Sequence, residues 1–332
     1  MSDDLLFTRC PVPTATGIAA GLGWLDGARS LQDGAIGTAL RGEHFTHDLT
    51  TLIREGGNVP ALWAKARGAD TRLIGLTWID ERQAIVVRPG EGPWAGLAGR
   101  RVAVPRRPAE KIDFWRAMAL AGFAGALRLE DETLGAVELV DITSEPNGRG
   151  PDGFAPEVEA VAEGRADAAY VKGAPGLEAA TRAGLVIGLD LDDVPDRTIR
   201  VNNGTPRPIT VHAQLLQERP EDVTRFLATL LRAADWAAES PGEVAGALAR
   251  ETYADEAYVS GAYRNDFHRS LHLSLSDARL ALLERQKDFL YANGFLEADV
   301  DVAAWADHTI LAAAREQRVA ATAKELIEAN GQ

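Results

Sequence analysis

The sequence predicts an α/β protein of two lobes, each built on a parallel-rich sheet, followed by a helical C-terminal region. Three observations carry this reading. The chain has 332 residues, and a single core stops growing near ~250–300 residues. From residue 101 onward, short apolar runs alternate with helical patterns, the order that pairs strands in parallel through crossover helices. Beyond residue 216 the apolar positions recur at helical spacing and strand patterns cease.

The elements follow in order. The apolar run from Leu5 reads as a strand with Cys10, the only cysteine, at its C-terminal end, and Pro11 and Pro13 stop it just after. Thr14–Ala28 is rich in small residues and reads as a short helix. Arg41–Thr46 reads as an irregular strand and Asp48–Arg54 as a helical turn ending at Gly56-Gly57. Asn58 reads as the N-cap of a helix with Pro60 in its first turn. Arg72–Thr77 and Gln83–Arg88 are β-rich runs. The Pro/Gly-rich stretch Pro89–Gly99 marks a crossing into the second lobe, and Asp192–Pro208 a return. Lobe one is therefore expected to hold residues 1–93 and 203–332, and lobe two residues 94–202. Between them come strands at Arg101–Val104, Ala136–Ile142, Ala166–Val171 and Leu185–Leu189, with helices over Ala109–Ala126, Pro156–Glu163 and Gly176–Ala183. Ile209–Leu216 closes lobe one as a strand, and helices follow over Pro220–Ala238, Asp277–Gly294 and Val302–Ala329.

Composition narrows the function. A net charge of −14 argues against nucleic acid, whose phosphates demand clustered Lys and Arg. It also means that an anionic ligand needs a local positive site to overcome the global field. One cysteine forms no internal disulfide, and no run reaches the ~18–20 apolar residues that span a membrane. The acidic start Met1-Ser2-Asp3-Asp4 lacks the pattern of a secretory signal, so a cytoplasmic protein is expected.

Two dense clusters bear chemistry. The first is Cys10 at its strand end, where open α/β sheets place their ligands; taken alone, a lone cysteine is as well read as a small buried hydrophobe. The second is His44-Phe45-Thr46-His47-Asp48 followed by Arg54-Glu55-Gly56-Gly57. His44 suits proton traffic, and Arg54 is a planar fork for two oxyanion oxygens. Gly56 and Gly57 permit close backbone approach at a helix start; the competing reading is a helix C-cap with a solvated arginine. His44-x-x-His47 has the spacing of a metal pair, but no third ligand is near, so no metal and no cofactor are expected. Phe45, Trp63, Trp78 and Trp115 are candidate walls for an aromatic ligand, and Lys172 is a candidate second anion contact.

The segments Leu97–Pro105, Ala162–Ala169 and Leu216–Val223 resemble the bilobed periplasmic solute-binding fold (type II), in the branch that takes up nitrate, sulfonates and taurine. Cys10-Pro11-Val12-Pro13, His44-Phe45-Thr46-x-Asp48, Arg54-x-Gly56-Gly57, Ala281–Arg285 and Ala304-Trp305-Ala306 more sharply resemble the hydroxybiphenyl sulfinate desulfinases, enzymes of dibenzothiophene desulfurisation built on that fold. The resemblance implies a catalytic Cys10 with His44 beside it, and Arg54 with Gly57 holding the sulfinate. It departs at His47, where those enzymes carry a tyrosine, and at Tyr170–Gly173, where an aromatic-rich stretch is expected.

The expectation is thus a cofactor-free, cysteine-dependent desulfinase that hydrolyses an aryl or related sulfinate to sulfite. Catalytic residues would be Cys10, as nucleophile or proton donor, with His44 and Arg54. Gly56, Gly57, Phe45, His47, Trp78 and Lys172 would bind a small sulfinate- or sulfonate-like anion. The alternative is a non-catalytic binding protein for sulfonate-, nitrate- or taurine-type anions.

Overall fold

The structure, a computed structural model, describes residues 4–9, 14–31, 43–90, 94–145, 150–263 and 266–330. Cys10 and Pro11–Pro13 lie outside the described residues.

Two five-stranded sheets form, each the floor of one lobe. In the first, β1 (Leu5–Thr8), β2 (Ala28–Ser30), β3 (Leu52–Glu55) and β4 (Thr71–Thr77) run one way. The second holds β5 (Gln83–Val87), β6 (Arg101–Arg106), β7 (Glu138–Thr143), β8 (Ala168–Lys172) and β9 (Val186–Asp190). The chain then returns to the first sheet through β10 (Arg207–His212). The strand orders are β2-β1-β3-β10-β4 and β7-β6-β8-β5-β9.

The two orders are the same arrangement. In each sheet the strand delivered by a crossing slots in fourth and runs antiparallel to both neighbours: β10 against β3 and β4, β5 against β8 and β9. No sequence repeat betrays this, because pairing order is fixed by long-range contacts rather than by residue identity.

Several sequence expectations need correction. Asp48–Arg54 is not a helical turn: Leu52–Glu55 is β3, the centre of the first sheet. The 41–46 segment, described from residue 43, forms a short 3-10 helix over Glu43–Phe45 instead of a strand. Gln83–Val87 belongs with the second sheet, so the outgoing crossing lies between Thr77 and Gln83, and Pro89–Gly99 connects two strands of one sheet. The strand placed at Ile209–Leu216 stops at His212, whose ring nitrogen caps the helix Ala213–Glu218.

The C-terminal helices behave as their spacing demands. Pro220–Glu239 buries Val223, Phe226, Leu227, Leu230 and Leu231 in the first lobe's core. Trp305 is almost wholly buried there, its indole N–H donating to Thr71 Oγ1 at 3.1 Å. The second lobe has its own core around Phe123, Val104 and Ile85. Among the described residues no helix is long and apolar enough to cross a membrane.

Helix Phe114–Leu127 lies on the second sheet at a distance only glycine permits. A Cβ on Gly122 would stand 2.1 Å from the Tyr170 ring, and one on Gly125 2.4 Å from the Ile199 carbonyl oxygen. At an exposed helical site Gly→Ala stabilises by about 1 kcal/mol. Here overpacking reverses the sign, and we expect Gly122→Ala to lose about 1–3 kcal/mol. Denaturant unfolding checks this: a raised midpoint would show that the helix stands off the sheet.

Candidate active site

β3 carries Arg54 into the middle of the first sheet, where its backbone pairs with Thr8 of β1 and Thr210 of β10. The residue is 2% exposed. Its guanidinium folds back over the turn that follows, donating from Nη1 to the Gly57 carbonyl oxygen at 3.2 Å. A Cβ on Gly56 would stand 2.8 Å from the guanidinium carbon. The first glycine is therefore required by the arginine lying on it. The second is required by Asn203: a Cβ on Gly57 would meet its Oδ1 at 2.1 Å.

The helix Asn58–Ala66 starts directly after this pair, with Gly57 as N-cap. Asn58 is not the cap expected of it. Its amide donates to the carbonyls of Asn202 at 2.7 Å and Pro206 at 2.9 Å, tying the helix start to the return crossing. Val59 N–H, one of the helix's free donors, is taken by Asn203 Oδ1 at 3.2 Å.

His44 sits in the 3-10 helix with its ring against Phe45, centroids 4.2 Å apart. Burial first, then the Arg54 and Lys111 charges, lower its pKa to about 3. His47 is held near the same value by burial and then by Arg54. After burial, Arg54 is the leading charge acting on both rings. Both imidazoles are neutral near pH 7. His44 consequently carries no positive charge of its own, and Arg54 does. A neutral imidazole keeps one ring nitrogen as a hydrogen-bond acceptor.

His47 was expected to meet the substrate. It is instead buried, its Nε2 2.8 Å from Thr210 Oγ1, with its backbone in the left-handed region at φ 60°. Histidine enters that region more readily than branched residues do. Trp78 is likewise buried in the outgoing crossing, its indole N–H directed at Asp80 Oδ1 at 3.4 Å. Lys172 does not reach out as a second anion contact. Its ammonium lies 3.2 Å from Glu81 Oε2, and donates to Asn203 O at 2.8 Å and Thr205 Oγ1 at 3.3 Å.

Phe45 does face an aromatic path. From it the rings of Phe114, Trp115 and Phe154 follow at centroid separations of 5.9, 5.4 and 5.1 Å, leading from lobe one into lobe two. The half-exposed pair Glu43–Lys111, 3.3 Å apart, spans the same gap. Trp63 takes no part: it lies under Arg67, whose guanidinium is 5.1 Å from its ring.

The sequence reading missed Glu55, a fully buried carboxyl on the strand beside Arg54. Burial pushes its pKa up, against the charge of Arg207 and a hydrogen bond from Thr77 Oγ1 at 3.4 Å. A charged residue in a strand so short gave no alternation from which its burial could be read. Asn203 was missed as well, for it meets Gly57 only through the return of the chain.

The fold is that of the two-lobed solute-binding proteins: the aliphatic sulphonate binding protein SsuA of Escherichia coli superposes with a TM-score of 0.67 over 93% of both chains at 15% identity. A crystal structure of a cysteine-to-serine mutant of the desulfurization enzyme DSZB, in complex with biphenyl-2-sulfinic acid, matches at TM-score 0.74 and 26% identity, covering 96% of this chain and 100% of that one. The unmutated enzyme matches at 0.72 over 95% and 99%. No protein-family model matches. The 2'-hydroxybiphenyl-2-sulfinate desulfinases of Rhodococcus erythropolis and Rhodococcus qingshengii are each 30% identical over 92% of this chain and 91% of theirs. The chain belongs to the 2'-hydroxybiphenyl-2-sulfinate desulfinase family.

The buried histidines make stability depend on pH. Folded His47 stays neutral down to about pH 3, whereas an unfolded histidine takes up its proton near ~6.5. Between those values unfolding binds a proton, so stability falls as the solution is acidified. From pH 6.5 to 4.5 His47 alone should cost about 2.3 kcal/mol. Asparagine tolerates the left-handed backbone, and His47→Asn should flatten the curve by that amount. Urea unfolding of both proteins at the two pH values measures it; equal losses would contradict a buried neutral His47.

Proposed function

We propose that this chain is a sulfinate desulfinase, cleaving the carbon–sulfur bond of an arylsulfinate: ArSO2⁻ + H2O → ArH + HSO3⁻. The observation that carries the reading is the buried Arg54 fork folded over Gly56-Gly57 at a helix start, with His44 beside it. It is a local positive site in a chain of net charge −14, and charge-assisted donors of this type contribute ~1.5–3 kcal/mol each to an anion.

Cys10 is the reacting group, and two balanced routes lead to the same products. In one, the thiolate attacks sulfur, the aryl carbon leaves and takes a proton, and water cleaves the resulting Cys–S–SO2⁻ adduct to thiol and bisulfite. In the other, the thiol protonates the ring carbon, SO2 departs, and water adds to it while the released proton returns to the thiolate. The neutral His44 serves either route by accepting a hydrogen bond from the attacking water and orienting it. A catalytic thiol has to stay reduced, which agrees with a cytoplasmic protein. The half-buried aromatic path from Phe45 to Trp115 would hold the ring system.

Sulfite release from biphenyl-2-sulfinate tests the proposal. We expect turnover by the native protein, and its loss in Cys10→Ser with binding and melting temperature retained. A broad panel of sulfinates that yields no sulfite would overturn it. Tight sulfinate or sulfonate binding without turnover, unaffected by Cys10→Ala, would point to the non-catalytic binding protein instead.

A further inference from the structure

We infer that Asn203, on the return crossing between the lobes, is a substrate-binding residue that donates its amide Nδ2–H to a sulfinate oxygen beside Arg54. The inference rests on the desulfinase reading and extends the anion site to a second segment of the chain.

The geometry is specific. Asn203's carboxamide lies directly on Gly57, so close that no side chain fits between them. Its orientation is fixed by chemistry: Val59 N–H approaches at 3.2 Å and requires an acceptor, so the oxygen faces the helix start and Nδ2 is turned away. Among the described residues Nδ2 meets no acceptor, although the backbone N–H and carbonyl of the same residue are both engaged, with Asn202 Oδ1 at 2.7 Å and Lys172 Nζ at 2.8 Å. An amide so firmly held by its backbone, its donor end unspent over Gly57, whose carbonyl accepts from Arg54, is ready for a ligand acceptor.

The backbone that carries it is held from both lobes. Asn58 of lobe one binds the carbonyls on either side of the turn, and Asn202 donates to Met118 O and bonds with the Tyr170 hydroxyl of lobe two, each at 3.0 Å. Little rotamer or loop entropy remains to be lost when a ligand arrives, which favours binding through preorganisation. A neutral donor also suits the position. Aspartate of the same shape would still accept from Val59 N–H but would set a carboxylate against the anion.

Calorimetry with biphenyl-2-sulfinate and with neutral 2-hydroxybiphenyl separates the outcomes. Asn203→Ala should weaken the sulfinate about tenfold or more, the loss of one hydrogen bond to a charged group, and Asn203→Asp should weaken it further. Binding of 2-hydroxybiphenyl should change less than about twofold in both, since no charge-assisted bond is lost. If Asn203→Asp does not fold, Asn203→Ala decides alone. Native-like sulfinate affinity in Asn203→Ala, or equal losses for both ligands, would overturn the role of Asn203 while leaving the desulfinase reading intact. Native protein that neither binds nor cleaves the sulfinate would overturn both.

Discussion

A buried guanidinium on the central strand of the first sheet sets the terms for the rest of the site. Arg54 is pinned by pairing on both sides, to Thr8 and to Thr210, and its side chain turns over the Gly56-Gly57 step into a space that a single methyl group would fill. Burial first, and then this same charge, keep two neighbouring imidazoles neutral. Local sequence, backbone approach and protonation state thus follow from one placement. In the proposed reaction the permanent cation holds an oxyanion, while the neutral His44 accepts a hydrogen bond from water.

The second constraint is the pair of crossings. The outgoing one brings Asp80 and Glu81, and the returning one brings Arg200, Asn202, Asn203 and Arg207. Glu81 meets Lys172 at 3.2 Å, and Arg200 bonds with Asp80 and with Asp192 at 3.0 Å. Tyr170 donates to Gln83 and meets Asn202. Buried charges are tolerated only with partners, so the lobes are joined by a network whose members depend on one another. Lys172 belongs to this network. Its role is to hold the return turn against lobe two, and through that turn it supports the position of Asn203.

Much of the fold could be read from residue patterns. The βα alternation of lobe two and the apolar spacing of Pro220–Glu239 are local signals, and the structure carries both. What escaped was set by distant parts of the chain. β3 read as a helical turn because Arg-Glu-Gly-Gly resembles a helix end, and because its two charged residues are buried only by β1, β10 and their surroundings. Gln83–Val87 was placed in the wrong lobe because sheet membership depends on the partner strand, here β8. In the site, the motif singled out His44, Arg54 and the glycines, and the Arg54 guanidinium lies on that glycine pair. It gave no sign that His47 turns into a left-handed backbone toward Thr210, or that Asn203 arrives from some 145 residues further on.

The most direct measurement is a crystal structure of the Cys10→Ser protein with biphenyl-2-sulfinate bound. The account predicts both sulfinate oxygens within hydrogen-bond distance of the Arg54–Gly57 turn, residue 10 facing the carbon–sulfur bond, and the rings on the Phe45–Phe114 path. A sulfinate bound away from Arg54, or held with its carbon–sulfur bond turned from residue 10, would contradict it.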